Sequence, residues 1–179
     1  MLRLLFSATL LFSGVAACAA PPKLLTDTVV LATSQKWQTF DKGQEMRQIK
    51  LEAGKHKNLT ANGQYFLILD SVVVHTLPEG VYELYLLPAN NRVPDSFSPD
   101  DGSFVDLLNL YNLSDKSKPP TVSVNVSRNA EHLISRNKPC QDLLLIVFFR
   151  GNEMPDQKPV AHTGNISFGK IRLVQVSGE

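Results

Sequence analysis

The run Gln141-Asp142-Leu143-Leu144-Leu145-Ile146-Val147-Phe148-Phe149-Arg150-Gly151 constrains this chain more than any other stretch. Its seven consecutive apolar residues, Leu143 to Phe149, are far fewer than the roughly 20 a bilayer-spanning helix needs. They are also too rich in Ile, Val and Phe for a surface helix, so they predict a central β-strand. Successive side chains of a strand point to opposite faces, which places Leu143, Leu145, Val147 and Phe149 on one side and Leu144, Ile146 and Phe148 on the other. Both faces are apolar, whereas a strand in an antiparallel sandwich ordinarily wets one of them. The second face therefore needs cover, from the same chain or from a partner. Leu144, Ile146 and Phe148 are the candidate docking face.

The remaining runs fit the same class. Strands are expected over Thr26–Thr33, Gln44–Leu51, Tyr65–Val74, Val81–Leu87, Gly102–Leu108, Thr121–Val126 and Gly164–Val176. The Pro78-Glu79-Gly80 turn joins two of them as antiparallel neighbours, and the change of apolar parity beside Gly169 reads as a β-bulge. Ser127 is placed to cap one short helix with Ala130, Leu133 and Ile134 inward. Pro88 to Asp101, with three prolines, reads as a long surface loop tolerant of change. The expected fold is all-β: an antiparallel β-sandwich, jelly-roll-like, with seven to eight strands and one short helix.

Residues 1–18 read as an export signal, from the positive Arg3 and the apolar run Leu4 to Ala17. Two readings of its end stand. Val15-Ala16-Ala17-Cys18 has the form of a bacterial lipobox, which would make Cys18 the lipidated first residue; alternatively, the leader is cut after Ala19. Residues 19–25 then form a tether and 26–179 a single domain. The expected location is the cell envelope, as a lipoprotein on the periplasmic side or outer membrane held by its lipid anchor only, and otherwise secretion. On either reading Cys140 has no intrachain partner, so no disulfide framework exists. The sequons at Asn58, Asn112, Asn125 and Asn165 are read as chance.

Charge and chemistry narrow the function. The 179 residues carry a formal net charge of +1 with Lys and Arg scattered singly, which leaves no basic stripe for nucleic acid. His56, His75, His132 and His162 fall in separate elements without ligand spacing, so no metal and no cofactor are expected. Asp95, Asp100 and Asp101 precede Gly102 without the spacing of a calcium loop. Glu83 and Asp70 read as solvent-facing members of strands, and no nucleophile elbow or phosphate-binding glycine loop is present. The chain is not expected to be an enzyme. Trp37, Phe40, Tyr65, Tyr82, Tyr85 and Tyr111 are read mainly as core and interface anchors. A sugar-binding platform is the alternative, which would make this a carbohydrate- or surface-binding structural lipoprotein.

The order of several short motifs carries a resemblance. Tyr82-Glu83-Leu84-Tyr85, then Gly102-Ser103-Phe104-Val105, a short helix, the strand Asp142 to Arg150, and Phe168-Gly169-Lys170-Ile171 follow one another over residues 65–176. In that order they resemble the C-terminal domain of plant-type polyphenol oxidases, which has a Lys-Phe-Asp-Val strand, a Gly-Ser-Phe-Val segment and a final strand containing Lys-Ile. Val81 stands where that family's Lys is usual, and Asp106 replaces an Asn. The family domain is a non-catalytic β-sandwich that packs over a dicopper catalytic domain built on six histidines; this chain has four. The resemblance implies a module that docks on or shields a protein partner, such as a tyrosinase-like copper oxidase acting in trans.

Overall fold

The structure, a computed structural model, describes residues 28–55, 63–113, 118–133, 141–151 and 161–177, with only the backbone at Asn112, at 130–132 and at Ser177. The expected leader with Cys18, the tether, His56, Asn58, Ile134 and Cys140 lie outside the described residues.

In chain order the strands are β1 (Thr28–Ser34), β2 (Gln38–Phe40), β3 (Met46–Ala53), β4 (Gly63–Leu69), β5 (Val73–Thr76), β6 (Val81–Pro88), β7 (Phe104–Leu108), β8 (Val122–Asn125), β9 (Leu143–Gly151), β10 (Asn165–Phe168) and β11 (Ile171–Ser177). A 3-10 turn, Tyr111–Leu113, follows β7, and helix α1 (Ser127–Leu133) follows β8. Eight strands form one antiparallel sheet in the order β7-β6-β9-β3-β1-β11-β4-β8, which curls until it is nearly closed. A smaller sheet, β2-β10-β5, completes the enclosure.

As expected, β9 is an interior strand, antiparallel to β6 on one side and β3 on the other. Its odd-numbered residues Leu143, Leu145, Val147 and Phe149 join Leu31, Leu51, Leu67, Leu84 and Leu173 in the main core. Period-two alternation explains why each contributing strand sends every second side chain inward.

Two expected strands are each two strands in different sheets. Tyr65–Val74 breaks at Asp70-Ser71, where Ser71 adopts a φ of 54° and the chain leaves the large sheet for the small one. Gly164–Val176 breaks opposite it, at Gly169-Lys170. The Gly169 amide donates to the Asp70 carbonyl (2.9 Å) and the Asp70 amide to that of Lys170 (2.9 Å), so the two crossovers are tied together. The parity change beside Gly169 is therefore a sheet crossover and not a bulge: Phe168 and Ile171 face the same core from different sheets. With the short β2, these splits give eleven strands among the described residues.

For the same reason the segments around Pro78-Glu79-Gly80 are not sheet neighbours. β5 pairs with β10, and β6 enters the large sheet between β7 and β9. The approach is close at Gly80, where an added Cβ would lie 2.6 Å from the Gly151 Cα. Gly151 itself has a φ of 73°, so glycine suits both positions.

Candidate functional site

The large sheet has two outer faces, and the chain treats them differently. Over β7-β6-β9-β3 the outward residues include Glu83, Tyr85 and Leu87 of β6, Ile146 and Phe148 of β9, and Met46 of β3. They form a second apolar cluster with Val93 and Phe97, which come from the connection between β6 and β7. Phe97 lies 4.7 Å from the Tyr85 ring and 5.5 Å from Phe148, centroid to centroid. Ile146 is fully buried, while Leu144 and Phe148 are half-buried. The docking face expected at Leu144, Ile146 and Phe148 is thus partly covered, by Phe97 of the same chain packed on Phe148. The loop read as tolerant of change supplies that ring.

A polar network lies beneath Phe97. Glu83, expected to face solvent, is only 2% exposed. Its Oε1 accepts from Arg150 Nε at 2.9 Å and its Oε2 from the Tyr85 hydroxyl at 2.6 Å. Arg150 also donates from Nη2 to the Phe97 carbonyl at 3.4 Å and lies over the Phe148 ring. Burial, and then the hydrogen bond to Glu83, push the Tyr85 phenol far above its ordinary value, so it remains a donor. A charge buried this deeply requires its partner, and the pair at 83 and 150 is made by register: Glu83 stands opposite Phe148 on the outer face that Arg150 shares.

Over β1-β11-β4-β8 the outer face carries, among the described residues, a groove of about 290 Å³ lined by Thr28, Phe66, Ile68, Val176, Ser123 and Arg172, with the buried Val174 between them. Arg172 is held by Asp70, Nη2 to Oδ2 at 2.9 Å, and Asp70 also accepts from the Thr121 hydroxyl. Asp70 is half-buried and serves as an acceptor between strands, not as a solvent-facing side chain. The signal for this face is present in the sequence: Tyr65–Leu69 and Leu173–Val176 carry apolar residues on both parities, as Leu143–Phe149 does.

Three of the four motif stretches meet, since β6 lies between β7 and β9. Tyr85 pairs with Phe104 and Leu84 with Asp106 across β6 and β7, and the Leu86 amide donates to the Ser103 carbonyl at 2.8 Å. Gly169-Lys170-Ile171 sits elsewhere, at the sheet crossover beside Asp70. The free edge of β7 is protected. The Asn129 side-chain amide, from α1, donates to the carbonyls of Gly102 and Phe104, and Asp106 Oδ1 accepts the Leu107 amide. Such devices blunt strand-to-strand pairing at a sheet edge. Gly102, Phe104, Val105, Asn125, Arg128 and Asn129 line a cleft of about 530 Å³ at this place, between the two edge strands β7 and β8. The Ser127 hydroxyl accepts the Tyr65 amide and docks the helix on β4, while Asn125 Oδ1 accepts the Ser127 amide.

The two histidines whose side chains are described, His75 and His162, make separate contacts. His75 is exposed on β5 and bonds the Ser167 hydroxyl at 3.0 Å. His162 is 2% exposed among Phe40, Tyr82 and Phe149. Its Nδ1 lies 2.9 Å from the Asp41 carbonyl, which can only accept, so Nδ1 carries the hydrogen. Nε2 is then the acceptor for the Tyr82 hydroxyl at 2.7 Å. Among the described residues no group of three His, Cys, Asp or Glu side chains is placed to hold a metal ion. Of the six aromatics singled out above, Phe40, Tyr65, Tyr82 and Tyr85 are buried, and Trp37, between β1 and β2, and Tyr111, in the 3-10 turn, are exposed.

No family model matches the chain, and no curated protein matches it. Solved structures do. One is a recombinantly expressed latent aurone synthase (polyphenol oxidase), co-crystallized with hexatungstotellurate(VI) and soaked in H2O2: it is 12% identical with a TM-score of 0.48, over 75% of this chain and 25% of that one. Another is latent aurone synthase (polyphenol oxidase) from its natural source, 11% identical with a TM-score of 0.47, over 76% of this chain and 24% of that one. The chain spans about a quarter of the length of these solved chains.

Proposed function

We propose that this chain is an exported, non-catalytic β-sandwich module that docks on a partner protein, a tyrosinase-like copper oxidase being the partner the motif order suggests. One observation carries the docking reading: the outer face of β1-β11-β4-β8 keeps Phe66, Ile68, Val174 and Val176 around a groove. Solvated faces of antiparallel sheets are ordinarily polar, and a contiguous apolar patch with a polar rim fits a protein contact. Ser123 and the Asp70-paired Arg172 are polar members of this groove's lining. The sequence resemblance over residues 65–176 supports the kind of partner. It also supports the non-catalytic role, because the family domain these motifs resemble is the non-catalytic one.

The test is co-purification from the native source. The wild-type chain is expected to elute with a copper oxidase and to lower its turnover, and Ile68→Asp is expected to abolish both effects while the variant stays folded. A monomer that recovers no oxidase, or an Ile68→Asp variant that binds one equally well, would overturn the reading.

A further inference from the structure

The cover over the other outer face is held in an unusual way. Between Asn90 and Ser98 the loop is tied to the strands by a 3.4 Å contact from Arg150 of β9 to the Phe97 carbonyl and by the Asn91 amide, which donates to the Pro88 carbonyl at the end of β6. Other bonds of the loop are internal: Arg92 to both Asp95 oxygens, and the Asp101 amide to the Ser98 carbonyl. What seats the loop is one aromatic ring, on Tyr85 and Phe148, with the half-buried Val93 beside it. Segments tied down by so few buried contacts open at low free energy. The floor that opening would uncover is permanent, because Tyr85 and Ile146 sit in paired strands and Glu83 locks Arg150.

We infer that this face is a receptor for an aromatic side chain on a peptide, kept self-occupied by Phe97. The recognition chemistry is that of the resident segment: a ring packed at a tilt against Tyr85 and Phe148, and a backbone carbonyl received by the Arg150 guanidinium. One feature suits a peptide over a small apolar molecule: the guanidinium receives the backbone carbonyl of the residue that carries the ring. The inference goes beyond the docking reading, since it concerns a second face and requires no knowledge of the partner.

The experiment is a titration of the full chain with a synthetic peptide of residues 92–101 added in trans. The Phe97→Ala chain is expected to bind this peptide saturably and at least tenfold tighter than the wild type, whose site is filled. The same peptide carrying Phe97→Ala should bind at least tenfold more weakly, and Arg150→Lys in the chain should reduce binding as well. If Phe97→Ala does not fold, Phe97→Leu is titrated in its place, with the same order of affinities expected. Absence of saturable binding, or equal binding by wild type and variant, overturns the inference. Ile68→Asp should leave this titration unchanged, so failure here and failure of the docking reading are separate results.

Discussion

The Tyr82 hydroxyl donates to His162 Nε2 across 2.7 Å, joining β6 to the segment that leads into β10 and so the large sheet to the small one. Burial holds His162 below its ordinary pKa of 6.5, against a smaller opposing pull from the Asp41 carbonyl. The unfolded chain therefore takes up this proton at higher pH than the folded one, and stability rises with pH across that window. Its contribution is complete above about pH 6.5 and is lost as the pH falls toward the depressed folded value. Thermal melts from pH 7.5 to 5 should show a declining midpoint for the wild type and a flatter profile for His162→Gln. Equal slopes would assign the acid sensitivity to other groups.

Arg150→Met removes the ion-pair partner of a carboxylate that is 2% exposed. Stranding such a charge typically costs about 3 to 5 kcal/mol. Glu83→Leu combined with Arg150→Met should recover most of that loss, because replacing a buried pair outright is often near neutral. Urea unfolding of the two single variants and the double variant measures this. A double variant no more stable than Arg150→Met would show that the pair contributes beyond mutual compensation.

Leu67 and Ile68 are consecutive on β4 but face opposite ways, into the core and into the groove. Leu67→Ala should cost about 2 to 5 kcal/mol, as large-to-small changes in cores do. Ile68→Thr, at a half-buried position, should cost about 1 kcal/mol or less. Denaturant midpoints of the two variants, read beside partner capture, separate a stability role from a docking role.

Cys18→Ser tests the leader. If Cys18 carries lipid, the variant should leave the membrane fraction, and the wild type should incorporate a labelled fatty acid. A wild type that incorporates none is a secreted protein on the alternative cleavage reading.

Strand identity was legible along most of the chain because period-two alternation is a local property, and β9, the most apolar run, is indeed an interior strand of an antiparallel sheet. The split of Leu143, Leu145, Val147 and Phe149 from Leu144, Ile146 and Phe148 follows from backbone geometry alone, and it holds. Which apolar face stays uncovered is not local. It depends on a loop folding back from the far end of β6, and proline content by itself cannot distinguish a loop in solvent from one that seats Phe97 on a sheet. Asp70-Ser71 and Gly169-Lys170 show the same limit, since a parity change looks alike whether one strand bulges or the chain crosses between sheets. Glu83 is the sharpest case: alternation correctly turned it away from the main core, but whether that side held water or Arg150, Tyr85 and Phe97 was decided by residues 2 to 67 positions away. The sequence by itself determined an all-β chain with two-faced strands; tertiary structure decided which of those faces the chain covers, because burial is set by what returns in space and not by what adjoins in sequence.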